Sequence, residues 1–377
     1  MTGFSTIHEL LAGKPADAVA FIGNGCPSLT YGALREHIEH TVTSLNQLGI
    51  GRNDRVAIVL PNGTEMASAF VAIAAGTTSA PLNPAYRADE FEFYLSDLKA
   101  KALVVERDST SPALGAAAKL NIPIIEIVRK KNDPAGVFQL TPKDKFTSAA
   151  ATSGGYAKAD DVALVLHTSG TTSRPKIVPL TQINVCASAG HIRDILALTP
   201  ADRGLSIMPL FHIHGLIGSV LSTLCAGGSV HCSPGFNALK FFSWMDETKP
   251  TWYTAVPTMH QAILSRAANN REVIARHPLR FIRSSSSSLP PQVLAELPRA
   301  VHRRCRPEQQ GHARAHGQGS GRLGGPEGIG RCWQRCLSRR QRDNFYYSGV
   351  IACATIFIGD ASRCGERTRC RIITIEG

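Results

Sequence analysis

The sequence predicts an α/β fold in which mostly parallel sheets carry helices on both faces. Two observations lead to it. Through roughly the first 130 residues, short apolar runs of strand length alternate with segments whose apolar residues recur at helical spacing. Further on, the β-branched run Val162-Ala163-Leu164-Val165-Leu166 leads directly into a turn rich in hydroxyls and glycine. Open α/β sheets bind ligands at such carboxyl ends of strands.

The elements follow in order along the chain. Residues 31–48 have helical periodicity, 56–60 read as a buried strand, and 65–75 as a helix ending near Gly76. The turn Ala80-Pro81-Leu82-Asn83-Pro84 opens into another helix over 88–98, and Leu103-Val104-Val105 and Ile122-Pro123-Ile124-Ile125-Glu126-Ile127 supply further strands. Residues 129–160, rich in Lys, Asp, Gly and Ser, read as a surface connection. After the hydroxyl-rich turn, Ile177-Val178-Pro179-Leu180 reads as a short extended piece. Thr181 then serves as N-cap of a helix whose apolar residues are Ile183, Cys186, Ala187, Ile192, Ile195 and Leu196.

The turn itself, Thr168-Ser169-Gly170-Thr171-Thr172-Ser173-Arg174-Pro175-Lys176, suits the phosphates of a nucleotide. Gly170 lets backbone approach an anion and can adopt positive φ at little steric cost. Thr168, Ser169, Thr171 and Thr172 add hydroxyl donors, and Lys176 supplies a mobile point charge. The spacing is not that of a Walker A loop. The same composition also suits a plain solvent-exposed loop. Downstream, His212 and His214 stand two apart and would share one face of a strand. No third ligand lies near them in sequence, so pocket lining is favoured over a metal site and no metal ligand is assigned.

The chain has 377 residues, 43% of them hydrophobic, enough for a large core or two subdomains. No secretory signal is apparent near its start, and the apolar stretch 215–230 is interrupted by Ser, Thr and Gly, too much for a membrane span. Ten cysteines without regular pairing suggest free thiols in a reducing compartment.

Composition changes near residue 300. Residues 301–377 hold 14 arginines, no lysine and six acidic residues, so they carry +8 of the net +12. Six of the ten cysteines lie there too. Abundant Arg, Gly, Cys and Gln without Lys is what a shifted reading frame through G/C-rich coding sequence produces, and the stretch 311–330, with eight glycines and almost no large apolar residue, cannot bury enough surface to order itself. The basic charge could attract nucleic acid, but few aromatics interleave with it, and nucleic-acid binding is not expected. His302, Cys305, His312 and His316 mimic a zinc set in a segment lacking an apolar core.

Four strings together resemble the adenylate-forming, AMP-binding superfamily of acyl-CoA synthetases and 4-coumarate–CoA ligase-like proteins. They are the turn 168–176, Met208-Pro209-Leu210-Phe211-His212-Ile213-His214-Gly215, Trp252-Tyr253-Thr254-Ala255-Val256-Pro257-Thr258, and Arg280-Phe281-Ile282-Arg283-Ser284-Ser285-Ser286-Ser287-Ser288-Leu289-Pro290. Their wording is most similar to the oxalate–CoA ligase branch. The resemblance implies an AMP-binding N-terminal domain over 1–300, incomplete, with residues 301–377 unrelated to it and the C-terminal lid domain absent.

It also implies an ATP-dependent acid–CoA ligase using ATP, Mg²⁺ and CoA, in the cytoplasm or peroxisome. Thr168, Ser169, Gly170, Thr171, Thr172 and Lys176 would hold the β- and γ-phosphates. His212 would line the acid pocket and act with Lys176 in catalysis, and His214 would contact the acid. Ser285, Ser286, Ser287 and Ser288 would bring backbone donors to the adenylate. An imidazole at His214 that can become cationic would fit a small polar or anionic acid. The family's adenine-side Thr-Glu motif, ribose-binding Asp and lid lysine do not occur. A catalytically inactive nucleotide-binding remnant therefore stands as an alternative, as does an aromatic or fatty acid–CoA ligase.

Overall fold

The computed structural model describes residues 3–146, 150–168 and 175–300 and the short strand 356–359. By internal contacts the chain divides into residues 1–303 with 353–377, and residues 304–352; every described residue belongs to the first unit.

Two seven-stranded sheets form its frame. Along the chain the strands are β1 (Val19–Phe21), β2 (Leu29–Thr30), β3 (Arg55–Val59), β4 (Thr78–Pro81), β5 (Ala102–Glu106), β6 (Ile124–Val128), β7 (Gln139–Pro142), β8 (Val162–Thr168), β9 (Lys176–Thr181), β10 (Arg203–Ser206), β11 (Ser229–Cys232), β12 (Trp252–Ala255), β13 (Phe281–Ser284) and β14 (Ile356–Gly359). One sheet has the order β7-β6-β5-β3-β4-β8-β9 and the other β14-β13-β12-β10-β11-β1-β2. Pairing is parallel except at the margins, where β7, β9, β2 and β14 run antiparallel. The α/β class read from the alternation is therefore what the chain adopts.

The helices are α1 (Ile7–Ala12), α2 (Tyr31–Gln47), α3 (Thr64–Ala74), α4 (Ala88–Leu98), α5 (Ala113–Lys119), α6 (Gln182–Ile195), α7 (Ile213–Gly215), α8 (Ser222–Cys225), α9 (Phe241–Thr248), α10 (Pro257–Ala267), α11 (Arg271–Arg276) and α12 (Pro291–Ala300). Between α7 and α8 the residues Leu216–Leu221 form a π-helix. Local chemistry sets these bounds. In α4, Glu90 accepts from the Arg87 backbone N–H at 2.8 Å, acids occupy the first turn, and Phe91, Leu95 and Leu98 face the core. In α6, Thr181 and Asn184 cap each other reciprocally, at 3.3 and 3.1 Å, as the hydroxyl at 181 predicts. Strand β3 is central, so Val56, Ala57, Ile58 and Val59 are all buried rather than alternating. Among the described residues no helix is long and apolar enough to cross a membrane.

Three expectations need correction. Residues 129–160 are more than a surface connection: β7 adds to the sheet edge, and Ala135 and Phe138 are buried. The buried face of α6 is Gln182, Val185, Cys186 and Ala189, whereas Ile183 and Ile195 are exposed. Apolar identity misled there because a polar residue, Gln182, has a hydrogen-bonding task inside. Beyond residue 300 the sequence predicts no element, yet β14 pairs with β13, with Phe281 opposite Gly359 and Ser284 opposite Ile356. The zinc-like set at 302–316 and the glycine-rich stretch fall outside the described residues.

Candidate active site

The signature turn sits in a hairpin. Strand β8 ends at Thr168 and β9 begins at Lys176, and these two are register partners. Directly opposed residues of antiparallel strands project to one face, so the hydroxyl and the ammonium stand side by side, both exposed. Ser169, Gly170, Thr171 and Thr172 lie outside the described residues.

One residue back, His167 faces the α4 side in the row of Val165. Its Nε2 lies 3.1 Å from Asp97 Oδ2, and the ring meets Tyr94 edge-on at 4.6 Å between centroids. Tyr94 in turn stacks on Tyr86 at 4.7 Å. Burial lowers the His167 pKa despite the opposing effect of Asp97. A neutral imidazole whose Nε2–H donates to the carboxylate follows.

His212 and His214 do not share a strand face. His212 is the extended residue before α7, and His214 lies inside that helical turn, so the two point in different directions. The His212 N–H closes a turn onto the Pro209 carbonyl at 3.3 Å. Gly215 permits this tight start, since a Cβ there would collide with the Pro209 carbonyl oxygen. The result separates the roles open to them. His212 is exposed, although its packed surroundings still lower its pKa by desolvation. His214 is only 7% exposed, and both ring nitrogens are engaged, Nδ1 with Ser286 Oγ at 3.0 Å and Nε2 with Thr254 Oγ1 at 2.6 Å.

The expectation of a cationic His214 is overturned. Desolvation first, then the neighbouring Arg283, holds its pKa well below the ordinary value. The positive charge beneath the site belongs to Arg283 on β13, which is buried. Its Nη1 donates to Thr254 Oγ1 at 3.3 Å and its Nη2 to Ser285 Oγ at 3.3 Å. Gly218, in the π-helix, makes room for it, because a Cβ there would stand 2.8 Å from Arg283 Nη1.

The serine loop leaves the carboxyl end of β13. Ser285 is buried, Ser286, Ser287 and Ser288 are exposed, and Ser286 has φ +75°, a left-handed conformation that costs a serine energy. The His214–Ser286 bond joins this loop to the histidine loop. Thr254 and Arg283 lay in strings the sequence singled out but had no assigned role. Asn62, Asp97 and His167 gave no local signal, because their partners are distant in sequence.

Among the described residues no group of three or more His, Cys, Asp or Glu could hold a metal ion.

A hairpin pairing Thr168 with Lys176, a histidine loop and a serine loop thus leave strand ends of a two-sheet α/β fold. Residues 8–309 match the AMP-binding enzyme family, and the chain belongs to it. It is 42% identical over 301 residues to an oxalate–CoA ligase of Arabidopsis thaliana, covering 78% of this chain and 58% of that one. An oxalate–CoA ligase of Saccharomyces cerevisiae is 37% identical over 266 residues, covering 65% and 48%. ATP-bound MatB from Rhodopseudomonas palustris has the same fold, with a TM-score of 0.66, 24% identity and coverage of 79% of this chain and 58% of that one. The chain spans about half the length of the curated relatives it matches.

Proposed function

We propose that this chain is the AMP-binding part of an ATP-dependent acid–CoA ligase acting on a small acid of the oxalate type. The observation that carries the proposal is the hydrogen bond between His214 and Ser286, which draws the histidine and serine loops together above the Arg283 cation. Two relatives described as oxalate–CoA ligases support the choice of acid.

In the reaction an acid carboxylate oxygen attacks the α-phosphorus of ATP, forming an acyl-adenylate and releasing pyrophosphate. The CoA thiolate then attacks the acyl carbon and releases AMP. Here the protein positions and stabilises charge. Lys176, with Thr168, Ser169, Gly170, Thr171 and Thr172, would hold the β- and γ-phosphates and release them as pyrophosphate. His212, exposed at the mouth, would line the acid pocket. His214 would act as a neutral strut fixing the serine loop, and Ser285, Ser286, Ser287 and Ser288 would turn backbone donors to the adenylate. Mg²⁺ would arrive with the nucleotide's phosphates. The protein would reside in the cytoplasm or peroxisome.

The test is pyrophosphate release by this chain with ATP and oxalate, beside aromatic and fatty acids, together with calorimetric ATP titration. Release dependent on oxalate is expected. Release only with an aromatic or fatty acid would refute the substrate assignment. ATP binding without release would favour a nucleotide-binding remnant. Absence of ATP binding would overturn both.

A further inference from the structure

The carboxyl ends of the two sheets are joined through one side chain that no family string includes. Asn62 lies in the turn between β3 and α3. Its Oδ1 accepts from the Leu210 backbone N–H at 2.7 Å, and its Nδ2 donates to the Ser233 carbonyl at 2.9 Å. Leu210 belongs to the loop after β10 that presents His212, and Ser233 directly follows β11. A side-chain amide carries an acceptor and a donor at fixed separation, so it satisfies both loops at once. A carboxylate could serve only Leu210, and a methyl group neither.

We propose that Asn62 is a positioning residue for His212: its amide oxygen fixes the turn from Pro209 to His212 and so sets where the exposed imidazole stands in the acid pocket. This rests on the reading of His212 as pocket lining. The geometry favours control of the histidine over simple stapling of two sheets. The shorter of the two bonds falls on the histidine's own turn, two residues before the ring, and the His212 N–H closes that turn onto Pro209. A slip at Leu210 would carry through one short turn to the imidazole. The Ser233 bond ties a separate loop.

The two bonds can be separated by substitution. Asn62→Asp keeps an acceptor for Leu210 and loses the donor to Ser233; Asn62→Ala loses both. The full-length chain is labelled at its histidine rings, and the His212 resonance is assigned by its loss in His212→Gln. Its pH titration is then followed by NMR in wild type and both variants, with the buried His37 and His260 signals as reporters of folding. Both variants and wild type are read at about 1 M salt, which screens the carboxylate that Asn62→Asp introduces near the exposed ring, and there the Asn62→Asp curve should overlay that of wild type. In Asn62→Ala the His212 curve should move up toward the ordinary imidazole value, as the released turn gains solvent. An unmoved curve in folded Asn62→Ala, or equal displacement in both variants, would overturn the proposal. If the Ala variant does not fold, Asn62→Ser, whose shorter hydroxyl falls short of both loops, takes its place: a raised curve supports positioning and an unmoved one refutes it. Adding oxalate to the wild type tests the pocket reading separately, since an unshifted His212 signal would sink that reading without touching the coupling to Asn62.

Discussion

Arg280 grips both carboxylate oxygens of Asp202, Nε to Oδ1 at 2.8 Å and Nη2 to Oδ2 at 2.9 Å, linking the amino ends of β10 and β13. The same carboxylate receives the Thr199 N–H at 2.8 Å and the Thr251 hydroxyl at 2.8 Å, and Asp202 is only 2% exposed. Asp202→Ala strips these partners at once, so it should lower folding stability by about 3–5 kcal/mol. Asp202→Asn, which keeps an acceptor, should cost less. Urea midpoints at unchanged slope measure both, and an unaltered midpoint in the alanine variant would mean that the pair contributes nothing.

Gln182 is a second internal tie, fully buried at the first turn of α6. Its Oε1 accepts from the Ile7 N–H at 3.0 Å and its Nε2 donates to the Ala74 carbonyl at 2.6 Å, connecting α1, α3 and α6. Gln182→Leu would leave an amide and a carbonyl buried without these partners. Each costs about 1–3 kcal/mol, so a loss of several kcal/mol is expected. Hydrogen exchange should show α1 loosening first, because the Ile7 amide loses its acceptor, and undiminished protection there would refute the role given to Gln182.

These two ties show where the sequence was legible and where it was not. Strand β3 and helices α2, α3 and α4 were readable within a residue or so, because periodicity, caps and glycines lie within the elements themselves. The strand before the hydroxyl-rich turn and the extended piece after Lys176 were readable from one short string, but their antiparallel pairing was not. Gln182 was not, since a polar residue at a buried position gains its meaning from Ile7 and Ala74, far away in the chain. The same holds for Asn62 with Leu210 and for His167 with Asp97. His214 was misread for a related reason: its charge state depends on burial against Thr254 and Arg283, which the spacing His-x-His does not encode. A strand was expected under those histidines because alternation was assumed. The collar of Pro209 and Gly215 instead turns the chain into a helix.

Lys176 should behave in the opposite manner to the buried ties. It is exposed at the first position of β9, opposite Thr168, and its replacement removes no packing. Lys176→Ala should leave the folding stability within about 0.5 kcal/mol of wild type. Its cost should fall on the nucleotide: losing one charge-assisted phosphate contact, worth about 1.5–3 kcal/mol, weakens ATP by about 10- to 150-fold. Calorimetry with ATP and with pyrophosphate checks this. Equal loss for both ligands is expected if the lysine contacts the departing phosphates, whereas unchanged pyrophosphate affinity would assign it elsewhere.

Acid should destabilise the fold through its buried imidazoles. Desolvation, the largest cause in each case, holds His37 and His260 down to about 4 and His214 well below its ordinary value. In the unfolded chain each returns to about 6.5. Between these values the unfolded state binds more protons, so stability is full above about pH 6.5 and is lost as pH falls toward the folded value near 4. Each such histidine adds a slope of up to about 1.4 kcal/mol per pH unit. His37 offers a clean test, being 5% exposed and packed edge-on against Phe138 at 4.4 Å, with an Nε2 that has no hydrogen-bond partner among the described residues. His37→Leu should shrink the stability lost between pH 7 and pH 5 by about 2 kcal/mol, read from urea midpoints at the two values. A loss as large as in wild type would show that His37 is not held neutral in the folded chain.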